Sequence, residues 1–251
     1  NTAVGFDALF ANTTGTENVA LGANALDANT TGSYNVALGS HSLTTDTLGA
    51  RNVAIGRSAL QAQNFTSATD SYNIGVGYAA GAAVTTGVQN TLIGGLAGDS
   101  LTTSNSNTVV GYEALSTATN FGENTAIGYG SQKASASGHS NTSLGHETLL
   151  ALNSGTLNVA VGHDAGKAVT SGIKNTLIGA LAGDALTDAD NNTAIGYFAL
   201  SADTLGSKST AIGQGTLFAQ NFTSATDTFN TAVGYTAGVA VTTGVQNTLI
   251  G

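Results

Sequence analysis

The histidines are the side chains of this chain best suited to chemistry, because imidazole is a common metal ligand and can carry a proton near neutral pH. Of the four histidines, His146 and His163 occupy equivalent places in adjacent copies of a short repeated phrase, each directly after its glycine. Tyrosine holds the same place in five other copies of that phrase. A metal centre needs a third ligand, and none recurs beside these two. The pattern therefore favours a stacked column of aromatic and imidazole rings over a metal site.

The sequence lacks the motifs of the common catalytic sites. No serine is arranged with His and Asp in a nucleophile motif, and no phosphate loop of the form GxxxxGK[ST] occurs. Acidic residues such as Asp99, Asp184, Asp188 and Asp190 are scattered. They match neither the paired carboxylates of a glycoside hydrolase nor the calcium motif of other β-rolls. We therefore interpret them as solvated turn residues, and we predict no catalytic, cofactor-binding or metal-binding residues, no cofactor and no enzymatic activity.

Composition narrows the class of protein further. The 15 acidic and 6 basic residues give a net charge of -9, which leaves no basic surface for nucleic acid. The chain has no cysteine, so disulfides and thiolate metal sites are excluded. No apolar run reaches the ~18 residues of a membrane span. With only 8% charged residues and 34 glycines, the composition differs from that of an ordinary globular domain, while the regular spacing of its aliphatic residues argues against disorder.

A five-residue phrase, typified by NVALG at residues 35–39, recurs 15 times along the chain. Its copies begin at Asn1, Asn18, Asn35, Asn52, Asn73, Asn90, Asn107, Asn124, Asn141, Asn158, Asn175, Asn192, Ser209, Asn230 and Asn247. The starting numbers rise in steps of 17, except that the units at 52–72 and 209–229 are longer and give steps of 21. The two longer units start at Asn52 and Ser209, a step of 157, and are followed by closely matching sequence. We predict one continuous array over residues 1–251, with 14 coils, a partial coil and a nine-coil super-repeat.

The repeat predicts the fold class. A 17-residue unit is too short for a helix pair or a propeller blade. The phrase is rich in β-branched residues, its glycine suits a sharp turn, and a second turn signal such as Thr13-Thr14-Gly15 follows in most units. We therefore predict an all-β protein, a parallel β-solenoid or β-roll in which each 17-residue coil contains two short strands and two turns.

Recurring residue types predict the interior, with coil positions numbered from the first residue of each phrase. Position 4 is always Val, Ile or Leu, so we predict that it forms the core, and position 8 is always small. The predicted core residues include Val4, Leu21, Leu38, Ile55, Ile93 and Ile127. The residues at positions 9 and 12 compensate in size. Leu9, Leu26, Leu43 and Leu200 at position 9 go with Asn or Asp at position 12, and Gly at position 9 goes with Val or Leu at position 12, whereas Leu149 with Leu152 breaks the pattern.

Position 1 is Asn in every copy except Ser209, which predicts a buried ladder in which each amide bonds to the amides above and below it. The predicted ladder includes Asn18, Asn35, Asn52, Asn90, Asn107 and Asn124.

The two longer coils share the sequence QNFTSATD and must bulge to keep the coils in register. Asn64 and Asn221 begin N-x-[ST] glycosylation sequons there. We predict that the bulges are exposed, and that Asn64, Phe65, Asn221 and Phe222 are candidates for glycan attachment or receptor contact.

The phrase N-x-[AVL]-[VIL]-G, followed by Ala at position 8, resembles the head repeats of YadA-type trimeric autotransporter adhesins. It is also similar to the NTAxGYxAL…TTG arrays of phage tail fibres and of related surface proteins that end in an intramolecular chaperone domain. Residues 124–129 (NTAIGY) and 192–200 (NTAIGYFAL) carry the likeness, which extends over the whole chain. The resemblance implies a left-handed β-roll, parallel homotrimers and adhesion. Independently, a thin roll with 41% hydrophobic residues is expected to bury its surplus apolar surface by self-association.

These observations predict a structural segment of an extracellular, cell-surface or virion fibre that adheres by multivalent display. Its expected partners are copies of itself and a surface glycan or host receptor. Because no cap is recognisable at either end, we also expect both ends to continue into more of the same chain or into neighbouring subunits. No nucleic acid and no membrane span are expected. Two alternatives stay open. One is an ice-binding β-solenoid, since Thr is frequent at position 2, and the other is a polysaccharide-binding tailspike, of which this would be the non-catalytic shaft.

Overall fold

A computed structural model describes all 251 residues, which form short β-strands and turns without any helix. The chain divides into two compact units, Asn1–Asn124 and Thr125–Gly251. Within each unit, successive coils, each one sequence repeat long, add one parallel strand apiece to a common sheet. Each unit is therefore a parallel β-solenoid, which confirms the predicted fold class. No segment forms a helix of the length and hydropathy that crossing a bilayer takes. That the array continues unbroken from one unit to the next stays a prediction.

The first unit contains nine strands. They are β1 (Thr2–Val4), β2 (Val19–Leu21), β3 (Val36–Leu38), β4 (Gly49–Ala50), β5 (Val53–Ile55), β6 (Thr69–Asp70), β7 (Ile74–Val76), β8 (Thr91–Ile93) and β9 (Thr108–Val110). The main sheet has the order β1-β2-β3-β5-β7-β8-β9, and β4 pairs with β6 alone. Like positions lie over like, as in the pairing of Ala20 with Ala37. The longer coil keeps this register, because Val53 pairs with Ile74.

The second unit repeats the arrangement with ten strands. They are β10 (Thr125–Ile127), β11 (Thr142–Leu144), β12 (Val159–Val161), β13 (Thr176–Ile178), β14 (Thr193–Ile195), β15 (Gly206–Ser207), β16 (Thr210–Ile212), β17 (Thr226–Asp227), β18 (Thr231–Val233) and β19 (Thr248–Ile250). Its main sheet runs β10-β11-β12-β13-β14-β16-β18-β19, with β15 paired to β17.

Most coils contain a single strand, at positions 2–4, and the remaining part of the coil, which we call its second flank, consists of turns. The prediction of two strands in every coil is therefore wrong. Positions 7, 9 and 17 have left-handed backbone even where the residue is not glycine, as at Asn24 (φ 57°), Leu26 (φ 52°) and Tyr34 (φ 63°). Such residues cannot continue a strand. The flank is still bonded from coil to coil, for example by the Leu26 amide to the Ser42 carbonyl at 3.0 Å. A second short strand forms only where a longer coil meets the coil before it.

The predicted core at position 4 is also wrong. Side chains of a strand alternate between its two faces, and position 3 is the one that points inward in the three-residue strands. Val4 and Leu21 are 58% and 50% exposed, and Ile55 and Ile93 are also exposed. Leu38 and Ile127 are half-buried. The interior is instead filled by position 3 and by position 9, whose leucines are fully buried, as at Leu26, Leu43, Leu60, Leu149 and Leu200.

Close packing explains where glycine replaces those leucines. A β-carbon on Gly81 would lie 2.5 Å from Leu92 Cδ1 and 2.9 Å from Leu60 Cδ2. The two leucines come from the neighbouring coils and fill the space that a side chain at Gly81 would occupy. The size compensation predicted between positions 9 and 12 therefore also includes position 3 of the next coil, as dense interiors require.

Candidate functional site

The asparagines at position 1 form a buried chain of hydrogen bonds. Asn18 Oδ1 accepts a bond from the Asn35 amide at 2.9 Å, and Asn18 Nδ2 donates to the Gly32 carbonyl at 2.8 Å. The first bond joins neighbouring coils, and the second closes the turn of the same coil. Direct bonds between amide groups occur as well, as from Asn107 Nδ2 to Asn90 Oδ1 at 3.0 Å. The predicted ladder residues Asn18, Asn35, Asn52, Asn90, Asn107 and Asn124 are all buried. Their role is structural, because they are inaccessible to a ligand.

The outward face of the main sheets carries positions 2 and 4, and we call it the strand face. Position 4 is Val, Ile or Leu in every coil and is exposed or half-buried throughout. Position 2 is Thr, Val or Ile and is likewise exposed or half-buried. No charged residue occurs at either position in a chain with a net charge of -9. The strand face is therefore an uncharged, mainly aliphatic surface that continues from coil to coil within each unit.

The longer coils expose their asparagines but bury their phenylalanines. Asn64 and Asn221 are exposed, whereas Phe65 and Phe222 are only 5% and 7% exposed. The prediction that these phenylalanines contact a receptor is therefore wrong. Each instead packs inward and anchors the bulge, and the amide of Phe222 also donates to Asp203 Oδ1 at 3.0 Å.

Each longer coil and its two neighbouring coils share a chain of hydrogen-bonded, buried polar side chains that we did not predict from the sequence. Gln63 Nε2 donates to Asp46 Oδ2 at 2.6 Å, and Asn73 Nδ2 donates to Gln63 Oε1 at 2.9 Å. The second unit repeats the chain with Asp203, Gln220 and Asn230. The available signal was Asp and then Gln at position 12 of successive coils, which occurs once in each unit.

Asp46 makes the stability of this chain of bonds depend on pH. Burial raises the pKa of the Asp46 carboxyl, although bonds from Gln63 and from the Gly49 amide act in the opposite direction. An acid whose pKa is higher in the folded state binds its proton more tightly there, so its contribution to stability is present below the unfolded value of 3.8 and is lost as the pH rises through the folded pKa. The urea midpoint of the unchanged chain should therefore fall, relative to that of Asp46→Asn, as the pH rises from below 3.8 to neutrality. A difference between the two midpoints that stays constant with pH would contradict this.

A surface groove of about 430 Å³ lies beside the first longer coil. Tyr34, Leu48 and Asp70 are among its lining residues. The Arg51 guanidinium lies 4.7 Å from the Tyr34 ring centre, and its Nε is 3.1 Å from Asp70 Oδ2. All three polar or aromatic side chains are exposed. The groove therefore offers an aromatic ring and a negative charge, and Arg51 adds a positive charge beside them, which makes a surface suited to polar ligands.

The second unit holds a modified version of this cluster. Lys208, Phe229 and Asp227 stand where the first unit has Arg51, Tyr72 and Asp70. Lys208 Nζ is 2.6 Å from Asp227 Oδ2 and 5.2 Å from the Phe229 ring centre. Asn191 occupies the place of Tyr34, so the aromatic wall of the groove is specific to the first unit.

The predicted ring column is present in the second unit. The ring centres of Tyr129 and His146 are 5.2 Å apart, and those of His146 and His163 are 4.8 Å apart with an interplanar angle of 5°. Asp164, which sequence reasoning did not connect with the histidines, contacts both of them. Its Oδ2 is 3.4 Å from His163 Nδ1, and its Oδ1 is 4.0 Å from His146 Nδ1.

Three of the acidic residues interpreted as solvated, Asp99, Asp184 and Asp190, are in fact half-buried, and only Asp188 is exposed. Asp99 and Asp184 both occupy position 10, and burial raises the pKa of each carboxyl. Ser201 Oγ donates to Asp184 Oδ1 at 2.5 Å. These carboxyls belong to the packing of the turns.

Comparison with known proteins adds no assignment to this geometry. No protein-family model, no curated protein and no solved structure matches the chain. The candidate surfaces are therefore interpreted from their own residues.

Proposed function

We propose that this chain is a non-catalytic structural segment of an extracellular or virion fibre, in which copies associate through the strand face and adhere by multivalent display. The observation that carries the proposal is the uncharged aliphatic strand face. Contiguous exposed apolar surface of this kind is uncommon on monomeric soluble proteins and usually marks an interaction site. The likeness of the repeats to those of trimeric adhesins and tail fibres supports the same interpretation.

The partner that best fits the strand face is another copy of the chain. Position 4 places one aliphatic side chain on every coil, at the spacing of adjacent parallel strands, ~4.8 Å. A second copy repeats the same spacing, so its side chains can fit between those of the first along the whole face, whereas a partner with a different period would lose register. Parallel copies arranged around a closed symmetry axis would cover the face on every chain. The resemblance to trimeric adhesins favours three copies.

Adhesion is assigned to the flanks that such an assembly leaves free. The groove at Tyr34, Arg51 and Asp70 offers an aromatic face and charges for a glycan or a host receptor. Each copy brings its own groove, so an assembly presents several weak contacts at fixed distances, and their combined affinity exceeds that of one contact. The exposed sequons at Asn64 and Asn221 are candidates for glycosylation.

Self-association is tested by placing charge on the strand face. We expect the full chain to sediment as a trimer, and the double variant Ile178→Lys/Ile212→Lys to sediment as a monomer that keeps its β-type circular dichroism. Both isoleucines are exposed, so the change affects the interface more than the fold. Leu157→Lys is the matched control, because Leu157 is an exposed aliphatic residue away from the strand face in the same unit. A monomeric unchanged chain, or a double variant that still assembles, would contradict the proposal.

A second candidate is ice binding, which one observation favours. In the second unit, position 2 is Thr in every coil except at Val159, and these threonines lie on the strand face beside the aliphatic row. A row of Thr hydroxyls at regular spacing can order water. Thermal hysteresis of a monomeric chain would favour this function, whereas a trimer without hysteresis would favour the fibre.

A tailspike shaft predicts binding of polysaccharide without release of reducing sugar.

A further inference from the structure

His146, His163 and Asp164 bring three metal-ligating side chains together at one point on the second unit. Both histidines directly follow the glycine after a strand, β11 for His146 and β12 for His163, so the stacking of coils places one above the other. The ligand atoms of the three side chains all lie within 4.8 Å of one another. The His146 and His163 side chains are 47% and 60% exposed, so the cluster is open to solvent.

We propose that His146, His163 and Asp164 bind one divalent transition-metal ion of the Zn²⁺ class. Two imidazoles and one carboxylate are a donor set that suits Zn²⁺, Ni²⁺ or Cu²⁺, whereas Mg²⁺ and Ca²⁺ prefer oxygen ligands alone. Three protein ligands leave a fourth tetrahedral position for water or for a donor group of another molecule.

Asp164 supplies an observation that points to a ligand independently of the histidines. Its Oδ1 is buried and accepts no hydrogen bond from the protein. A buried acceptor without a donor is costly, and most such atoms in native proteins have a partner. His146 Nδ1 lies 4.0 Å from this oxygen, which is too far for a hydrogen bond. A cation bound between this oxygen and the imidazoles would satisfy it.

The ligand atoms are close to the spacing that an ion requires. Tetrahedral bonds of ~2.0–2.2 Å place neighbouring donor atoms ~3.3–3.5 Å apart. Asp164 Oδ1 lies 4.0 Å from His146 Nδ1, somewhat beyond this spacing, and the other carboxylate oxygen, Oδ2, lies 3.4 Å from His163 Nδ1, within it. The two histidine rings are nearly parallel, and the in-plane lone pairs of parallel rings do not converge on one point. Binding therefore requires one ring to rotate, which the largely exposed His163 can do.

Lys167 is the cation that competes for this site. Its Nζ lies 3.4 Å from Asp164 Oδ2 but only 2.6 Å from Glu147 Oε2. Glu147 therefore holds the lysine more closely than Asp164 does. Asp164 Oδ1 is thereby left to the histidines, and Glu147 offsets the positive charge of Lys167 beside the ion.

The test is titration of the tag-free full chain with Zn²⁺ by isothermal calorimetry. We expect one saturable site per chain, and no saturable heat with Mg²⁺ or Ca²⁺. His146→Tyr and His163→Tyr should each abolish binding, and both are expected to fold, because tyrosine occupies this position in five other coils. Asp164→Asn should weaken binding more than tenfold. His139→Gln is the matched control in the same unit and should bind as the unchanged chain does.

A direct readout comes from the imidazole nitrogens in ¹⁵N NMR spectra. Saturation with Zn²⁺ should shift the signals of His146 and His163 and leave those of His41 and His139 in place. Absence of a saturable site, or binding that survives His163→Tyr in a chain with unchanged circular dichroism, would overturn the assignment. Neither result depends on whether the chain forms a fibre.

Discussion

The substitution Gly39→Ala is expected to unfold the first unit under conditions in which the unchanged chain is stable. Gly39 has φ 136°, and a β-carbon there would lie 2.5 Å from the carbonyl oxygen of Gly56 in the next coil. Neither the β-carbon nor the carbonyl oxygen can move away, because the Gly39 and Gly56 amides each donate a hydrogen bond of 2.7 Å to the preceding coil. The change thus separates two coils, and we expect a loss of more than about 4 kcal/mol, at the far end of single-residue effects.

Urea denaturation followed by far-ultraviolet circular dichroism measures this effect, and hydrogen exchange locates it. Protection should be lost first in β2, β3 and β5, since each coil contacts only its neighbours. Gly95→Ala is the matched control in the same unit. Its backbone is not left-handed, and its new β-carbon would meet only the exposed Tyr112 ring, at 3.3 Å. Equal midpoints for Gly39→Ala and Gly95→Ala would mean that the coils are not in backbone contact at position 5.

Removing one amide from the asparagine ladder should have the second-largest effect. Asn158 Oδ1 accepts a bond from the Asn175 amide at 2.9 Å, and Asn158 Nδ2 donates to the Gly172 carbonyl at 2.8 Å. Truncation in Asn158→Ala leaves both backbone groups buried and without a partner, and each costs about 1–3 kcal/mol. We therefore expect a destabilisation of about 2–6 kcal/mol from the two groups together.

The urea midpoint of the second unit measures this loss, and Asn153→Ala is its control. Asn153 lies in the same unit, but its side chain is exposed, so its removal should change the unfolding free energy by no more than about 0.5 kcal/mol. Asn158→Ser should be nearly as harmful as Asn158→Ala. The natural serine of the ladder, Ser209, is supported by Thr228 and Gln220, which bond its hydroxyl at 2.6 and 2.8 Å, and position 158 has no such neighbours. A midpoint for Asn158→Ala equal to that of Asn153→Ala would contradict a structural role for the ladder.

The coil length, the parallel pairing and the burial of the asparagines could be predicted because each follows from the period. A strict repeat fixes which residues lie over one another, whatever the shape of the coil. Which way a side chain points is a separate matter. In a three-residue strand the outer positions share one face, so the residues at positions 2 and 4 turn outward together while the residue at position 3 turns inward.

The role of position 9 could not be derived from ordinary backbone preferences. Leucine seldom adopts a left-handed backbone, yet Leu26, Leu43 and Leu60 do so and supply much of the interior. One signal was available, since glycine alternates with leucine at this position, as at Gly81 and Gly98. When both glycine and leucine occur at one position of a repeat, the glycine indicates a left-handed backbone there and does not indicate a flexible segment.

The histidine cluster was missed for a different reason. A third ligand need not recur in every coil, because one copy of Asp164 is enough to reach both imidazoles. A bulge in the coil likewise does not expose every side chain in it, and the phenylalanines of the longer coils are buried. Phe65 anchors its bulge from within, and Asn64 beside it remains outside.

The register of the strands has an evolutionary consequence. Val36 pairs with Val53, and Val53 pairs with Ile74, so the same pairing survives the extra length of the longer coil. A gene rearrangement that deletes or duplicates the codons of one repeat would remove or add one coil and keep the register of the remaining strands. Such a gene can lengthen or shorten its product by unequal crossing-over, provided that the side chains of the newly adjacent coils fit together.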